Sequence, residues 1–277
     1  MTEILKPPTN YTGSKHNLIL ELLKYFPSKE DVSTFYDVFC GGLSVSINTD
    51  YDTIVANDTI SPLIDFYTIL KYSADNGLIE KELKSILSYA IDKTSQDQFN
   101  EVRKEFNKTK SNPYLFFALV NSCTNNMMRF NKKGEFNQTF GKRTINDNTL
   151  DKVLKYMNRM RDKDITFTNQ SFDNLLSTNK PSKGDFVYLD PPYWISEAGY
   201  NAVWDKKSES RLYDIMDEMN SNGVKFLMSN VSEHKGIVTP YIDRMKKWNM
   251  VEVNYDYEKV ARKKEKGITK EVMIMNF

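Results

Sequence analysis

Apolar residues along this chain fall into two rhythms. Short runs rich in β-branched and aromatic residues recur at 34–39 (TFYDVF), 53–56 (TIVA), 165–168 (ITFT), 186–189 (FVYL), 224–228 (VKFLM), 250–254 (MVEVN) and 271–276 (EVMIMN). Runs of that length and composition predict buried strands. Between several of them the spacing becomes that of a helix. Leu18, Leu22 and Leu23 share one helical face before the first run, and Leu212, Ile215, Met216 and Met219 share another before the fifth. Strands alternating with helices predict an α/β fold with a mostly parallel sheet.

Residues 60–160 break the alternation. Helical spacing covers 64–72, 78–91, 96–107 and 114–123, and a loop-like segment rich in Asn, Lys and Gly follows at 124–148. The pattern predicts a smaller helical part, 60–159, inserted into a sheet-bearing domain of residues 1–59 and 160–277. No internal repeat or low-complexity linker interrupts the chain.

Composition narrows the class. With 277 residues, 40% of them hydrophobic, the chain has room for one large α/β domain and a smaller insertion. A formal net charge of +1 excludes a polycation, so any nucleic-acid binding must come from local basic patches. Cys40 and Cys123 are too few for a disulfide framework, and no Cys/His cluster has zinc-ligand spacing, so no metal is expected. The first ten residues lack the basic and apolar regions of a secretory signal, and the apolar stretch 114–120 is too short to cross a bilayer. The expectation is a cytoplasmic protein with reduced thiols.

Two turns carry candidate chemistry. The run Tyr36-Asp37-Val38-Phe39-Cys40-Gly41-Gly42 leaves a strand and enters a helical stretch. Ligands of open α/β sheets sit at the carboxyl ends of strands, and glycine lets backbone approach a ligand there. The run is neither the GxGxxG fingerprint nor a P-loop, which disfavours a nucleoside triphosphate. The next strand ends in Ala56-Asn57-Asp58, where an acid can accept both hydroxyls of a ribose. A plain turn glycine and a helix-capping aspartate are the alternative.

The second turn is Asp190-Pro191-Pro192-Tyr193, at the end of the strand-like run 186–189. Paired prolines cannot continue a central strand, and Asp190 before them is pushed to an extended conformation. A carboxylate, bare carbonyls and an aromatic ring are thus presented together. That set suits methylation of an exocyclic amine. Acceptors for the two amine hydrogens release a delocalised lone pair, and the ring stacks on the base. A tight turn with a stacked tyrosine is the alternative.

Together these residues resemble the Dam family of DNA adenine methyltransferases, especially the short T-even-phage type. The resemblance covers nearly the whole chain: Asn10-Tyr11-Thr12-Gly13-Ser14-Lys15, the run 37–46 (DVFCGGLSVS), Ala56-Asn57-Asp58, the run 140–146 (FGKRTIN), Asp190-Pro191-Pro192-Tyr193 and Ser229-Asn230-Val231. The glycine turn, insertion and DPPY follow the order of the α-type amino methyltransferases. The resemblance implies the AdoMet-dependent methyltransferase fold: a seven-stranded, mainly parallel sheet, one strand antiparallel near its end, with a helical target-recognition insertion. It implies AdoMet as cofactor, with Tyr11, Lys15, Asp37, Phe39, Gly41, Gly42, Ser44, Asp58, Phe172 and Asp190 as cofactor-binding positions. Lys15 without its surrounding motif would read as an exposed charge at a helix start. Asp190, Pro191, Pro192 and Tyr193 are the expected catalytic positions, and Tyr200 is expected to close over the target base.

Between Arg129 and Arg143 stand five basic residues and one acidic residue, with Gly134 at a hairpin turn. Arginine can grip guanine in the major groove, Asn and Gln pair with adenine, and lysines suit phosphates. By the resemblance, Asn125, Arg129, Asn131, Lys142, Arg143, Asn146 and Tyr200 are expected at DNA, with GATC as target and adenine flipped out of the duplex. Thr139 departs from the phage pattern, where proline is common. A solvated hairpin is the alternative. A second basic run, 259–270, reads by default as a solvent-exposed loop, with phosphate contact as the other reading.

The implied partner is double-stranded DNA, with no membrane and no required protein partner, the chain acting as a monomer or weak dimer near the nucleoid. Cytosine-N4 or RNA methylation shares the amine chemistry, and a catalytically silent DNA-binding protein is the rival from another class.

Overall fold

Each apolar run becomes a strand in the computed structural model, which describes residues 3–9, 11, 13–195, 204–253 and 269–277. In chain order the elements are α1 (Ile19–Leu22), β1 (Phe35–Asp37), β2 (Thr53–Asn57), α2 (Ser61–Asp75), α3 (Ile79–Ser88), α4 (Gln96–Thr109), α5 (Pro113–Ser122), α6 (Asp147–Arg161), β3 (Asp164–Thr168) and α7 (Phe172–Thr178). There follow β4 (Phe186–Leu189), α8 (Lys206–Ser221), β5 (Lys225–His234), β6 (Ile237–Val238), α9 (Ile242–Met245), β7 (Asn249–Glu252) and β8 (Thr269–Met275). The chain divides into two compact units, residues 1–24 with 40–169 and residues 25–39 with 170–277.

In the first unit β2 and β3 pair in parallel, Thr53 opposite Asp164 and Asn57 opposite Thr168. Helices α2 to α6 belong to this unit as well. Residues 60–159 therefore share a compact unit with the glycine turn, where the sequence pattern suggests a separate insertion. The helices begin where their caps dictate. Asn112 accepts from Tyr114 N and Leu115 N before Pro113 opens α5. Asn146 accepts from Thr149 N at 3.0 Å and starts α6, a helix the sequence reading did not delimit. Its buried residues Val153, Tyr156, Met157 and Met160 lie at helical spacing.

In the second unit the strand order is β1-β4-β5-β8-β7. Strands β1, β4 and β5 are parallel, and β8 runs antiparallel to both β5 and β7. Strand β4 is buried at every position, as a strand covered on both faces should be. Two features differ from expectation. Strand β5 continues through Ser229-Asn230-Val231-Ser232-Glu233-His234, with a shift in pairing between Val231 and Glu233, and it pairs there with the short β6. The polar extension has no apolar run to mark it. Its strand character comes from pairing with β8, which is distant in sequence.

The backbone of 139–141 runs against 122–124 in the first unit. Gly141 N donates to Ser122 O at 2.8 Å and Thr124 N to Thr139 O at 2.9 Å. A Cβ at Gly141 would lie 2.3 Å from Cys123 O. The three nearest atoms, Cys123 O, Cys123 C and Thr124 N, are backbone and cannot swing aside, so Gly141→Ala should cost about 1–3 kcal/mol, read as a melting temperature lower by several degrees. An unchanged melting temperature would show that the two segments do not meet this closely.

Candidate functional site

The glycine turn of the first unit is tied down from several sides. Cys40 N donates to Asn57 O at 2.8 Å, which brings the turn to the end of β2. Asp58, the next residue, accepts from Gly41 N at 3.0 Å and from Ile60 N at 2.9 Å. The fully buried hydroxyls of Tyr67 on α2 and Tyr156 on α6 donate to Gly41 O and Gly42 O, at 3.1 and 3.3 Å. Gly41 has φ +45°, and a Cβ there would stand 2.8 Å from Cε1 of Tyr11. The Tyr11 ring therefore lies against bare backbone, which only glycine permits.

A buried acid meets this turn. Burial pushes the Asp58 carboxyl above the usual aspartate range, against the pull of backbone N–H groups at Ile60, Gly41 and Thr59 and of the Tyr11 side chain. Lys15 is buried and its Nζ donates to Gly13 O at 3.2 Å. Ser44 is buried, and its carbonyl accepts from Asn48 Nδ2 at 2.9 Å. Asn48 also exchanges two bonds with Leu5, at 2.8 and 3.0 Å, so one amide fixes the segment leading to Tyr11. The expected positions Tyr11, Gly41, Gly42, Ser44 and Asp58 thus lie around one local framework, while Lys15 bonds to Gly13.

The second unit carries the other expected residues. Asp37 ends β1, opposite Tyr188 of β4, and is buried. Asp190 follows β4 directly, and the Tyr193 hydroxyl donates to Asp190 Oδ1 at 3.1 Å. Pro191 is buried, while Asp190, Pro192 and Tyr193 are half-buried. Phe39 and Phe172 have ring centroids 5.9 Å apart.

Trp204, which the sequence reading missed, completes an aromatic cluster with these two rings, 5.7 Å from Phe39 and 5.2 Å from Phe172. Its indole Nε1 donates to Glu209 Oε2 at 2.5 Å, and Asn230 Nδ2 donates to Glu209 Oε1 at 3.2 Å. Glu209 is only 1% exposed, and burial raises its pKa against the two hydrogen bonds. A signal for it existed. Glu209, Leu212 and Met216 are spaced three and four apart on the apolar face of α8, where an acid needs a partner.

The DNA-expected residues lie in and beside a short hairpin of the first unit. Phe130 bridges Phe136, with Asn131 N donating to Glu135 O at 2.9 Å and Asn137 N to Arg129 O at 3.0 Å. Arg129 is exposed, and it donates through Nε and Nη2 to Asn137 Oδ1 and O. Asn131 holds the turn itself, its Oδ1 accepting from Lys133 N and Glu135 N and its Nδ2 donating to Glu135. Exposed Asn125 and Lys142 both have positive φ, and exposed Arg143 is hydrogen-bonded to Asn126 Oδ1. Asn146 has the capping duty described above. Asn131 and Asn146 thus have structural work whatever else they touch. Tyr200, Asn10 and Thr12 lie outside the described residues, as does the basic run 259–270 apart from its last two residues. Of those, Lys270 pairs with Glu233 at 2.6 Å. Cys123 is buried, its thiol pushed up to about 12, which leaves it no thiolate chemistry near neutral pH.

Among the described residues no group of three or more His, Cys, Asp or Glu could hold a metal ion, and no helix is long and apolar enough to cross a membrane.

Comparison with known proteins adds the family. The model of the D12 class N6 adenine-specific DNA methyltransferases matches residues 11–266. The chain is 31% identical to the modification methylase StsI of Streptococcus sanguinis and 30% identical to the type II methyltransferase M.FokI of Planomicrobium okeanokoites. Each alignment covers 99% of this chain and 43% of the relative, so the chain spans less than half the length of either. A DNA adenine methylase of Serratia marcescens is 30% identical over 66% of this chain and 65% of its own.

The buried Glu209 has a measurable consequence. Its folded pKa lies above its unfolded one, so the folded state holds more protons than the unfolded. Stability from this group should therefore fall as pH rises from the ordinary glutamate range to the raised value. Glu209→Gln should remove that slope, while leaving one of the Trp204 and Asn230 donors without its acceptor. Urea unfolding from the ordinary glutamate range upward through neutral pH checks it: parallel pH dependences for the two proteins would contradict the assignment.

Proposed function

The chain belongs to the D12 class of N6 adenine-specific DNA methyltransferases, and on that premise we propose that it transfers a methyl group from AdoMet to N6 of adenine in duplex DNA, within GATC, on a base extruded from the helix. The observation that carries the reading is the turn after β4, where Asp190, two prolines and Tyr193 follow a fully buried parallel strand.

The residues of the glycine turn suit the proposed cofactor. The turn holds Tyr11 in place for it, the ring packing where a Cβ at Gly41 would stand. Asp58 offers carboxylate oxygens to ribose hydroxyls, and the buried Lys15 cation suits the carboxylate of a methionine moiety. In the second unit Phe39 and Phe172 supply flat apolar faces suited to an adenine ring. AdoMet, when bound, would supply an electrophilic methyl group on a sulfonium, its sulfur leaving as a neutral thioether as the N6–C bond forms and the surplus amine proton passing to solvent.

The protein's own task is to make the adenine amine a nucleophile. Asp190 accepts one amine hydrogen and a carbonyl of the proline pair accepts the other, drawing the nitrogen toward a tetrahedral shape. A carboxylate can accept about four hydrogen bonds, so the bond from Tyr193 does not exhaust Asp190. That bond fixes the carboxylate, and the Tyr193 ring stacks on the base and holds it in line. Extrusion of the base costs a few kcal/mol, offset by such contacts. The hairpin at 129–137 and exposed Arg143 supply target reading, each bidentate arginine–guanine contact being worth about 1–3 kcal/mol of discrimination.

The test uses labelled AdoMet and two duplexes that differ only at one GATC adenine. Label should enter the intact duplex alone, and Asp190→Ala should abolish incorporation while the variant stays folded and still binds DNA. Equal labelling of both duplexes would discard GATC as the sole site. Near-normal turnover by Asp190→Ala would remove that residue from the chemistry.

A further inference from the structure

The hairpin proposed to read DNA is too short to stand alone. A two-stranded hairpin in water is marginal at best, and this one has the single bridge Phe130–Phe136 flanked by the two bonds given above. Those flanking bonds make Phe130 and Phe136 a pair that exchanges no bonds of its own. The N–H and C=O of Phe136 therefore point outward, away from Phe130. Phe136 is 1% exposed, so this outward edge is shielded from water and needs partners.

Asn107, near the end of α4, supplies both. Its Oδ1 accepts from Phe136 N at 2.8 Å, and its Nδ2 donates to Phe136 O at 3.0 Å. One side-chain amide thus pairs with the hairpin as a neighbouring strand would. Two further residues at helical spacing act beside it. Arg103 Nη1 donates to Gln138 O at 2.9 Å, and Lys110 Nζ donates to Lys133 O at 2.5 Å. Helix α4, of which only Phe99 and Phe106 are buried, and its C-cap Lys110 therefore hold two carbonyls of the hairpin, at 133 and 136, and one just past it, at 138.

We propose that Asn107 is a positioning residue for target discrimination, fixing the hairpin so that its side chains meet base edges in one register. The proposal rests on the reading of this hairpin as the DNA-contacting element. Asn107 itself touches no reacting group. Its influence should appear in the choice of sequence and not in the chemical step. Asn107→Asp keeps the acceptor for Phe136 N but sets an anionic oxygen against Phe136 O, so the near-isosteric change should be harmful. Asn107→Ala leaves both backbone groups without this partner.

The experiment measures kcat/KM on the preferred duplex and on one with a single base pair of the target replaced. For both Asn107 variants the ratio should fall at least tenfold, with AdoMet affinity within about twofold of wild type. Loss of folded protein alone would lower both rates equally and leave the ratio unchanged. If Asn107→Ala yields too little protein, Asn107→Ser and Lys110→Met each remove part of the grip and should lower the ratio partially. A preserved ratio in all folded variants overturns the proposal alone. A wild-type enzyme that methylates both duplexes equally overturns the parent reading, and the proposal with it.

Discussion

The first unit depends on one buried carboxylate. Asp58 joins the end of β2 to the glycine turn through Gly41 N and starts the path to α2 through Ile60 N. Burial of a charge is costly unless its oxygens are satisfied, so the carboxylate fixes where those backbone groups must be. The tyrosines of α2 and α6 then close on the turn's carbonyls. The helices after β2 are consequently part of what shapes the turn, which explains why they share its compact unit.

What was legible in the sequence is what acts on its own backbone. Proline at 191 and 192 ends β4 because it limits its own conformation, whereas the room that glycine leaves at 41 is taken by Tyr11 and not by the ligand the pattern suggested. Apolar runs marked β1 to β5, β7 and β8, since buried strands need such side chains at consecutive positions. The polar end of β5 and the two-residue β6 carried no such mark, being set by pairing. The Trp204–Glu209–Asn230 chain joins residues 21 positions apart, and the Asn107 grip spans 29. No spacing rule reaches that far. The acid on the apolar face of α8 was a visible clue, and its partners were not.

A common device holds the irregular segments. Asn48 pins Leu5, Asn107 pins Phe136, and Asn276 accepts from Phe226 N and donates to Val224 O. An amide carries one acceptor and one donor group in a plane, like a peptide unit. It can therefore satisfy backbone where no strand passes. These clamps fix a segment before the glycine turn, the hairpin and the start of β5.

The most direct test of the central claim is nucleoside analysis of unmethylated duplex DNA incubated with the protein and AdoMet. N6-methyladenine should be the methylated nucleoside. N4-methylcytosine in its place, or tight DNA binding with no methylated nucleoside, would contradict it.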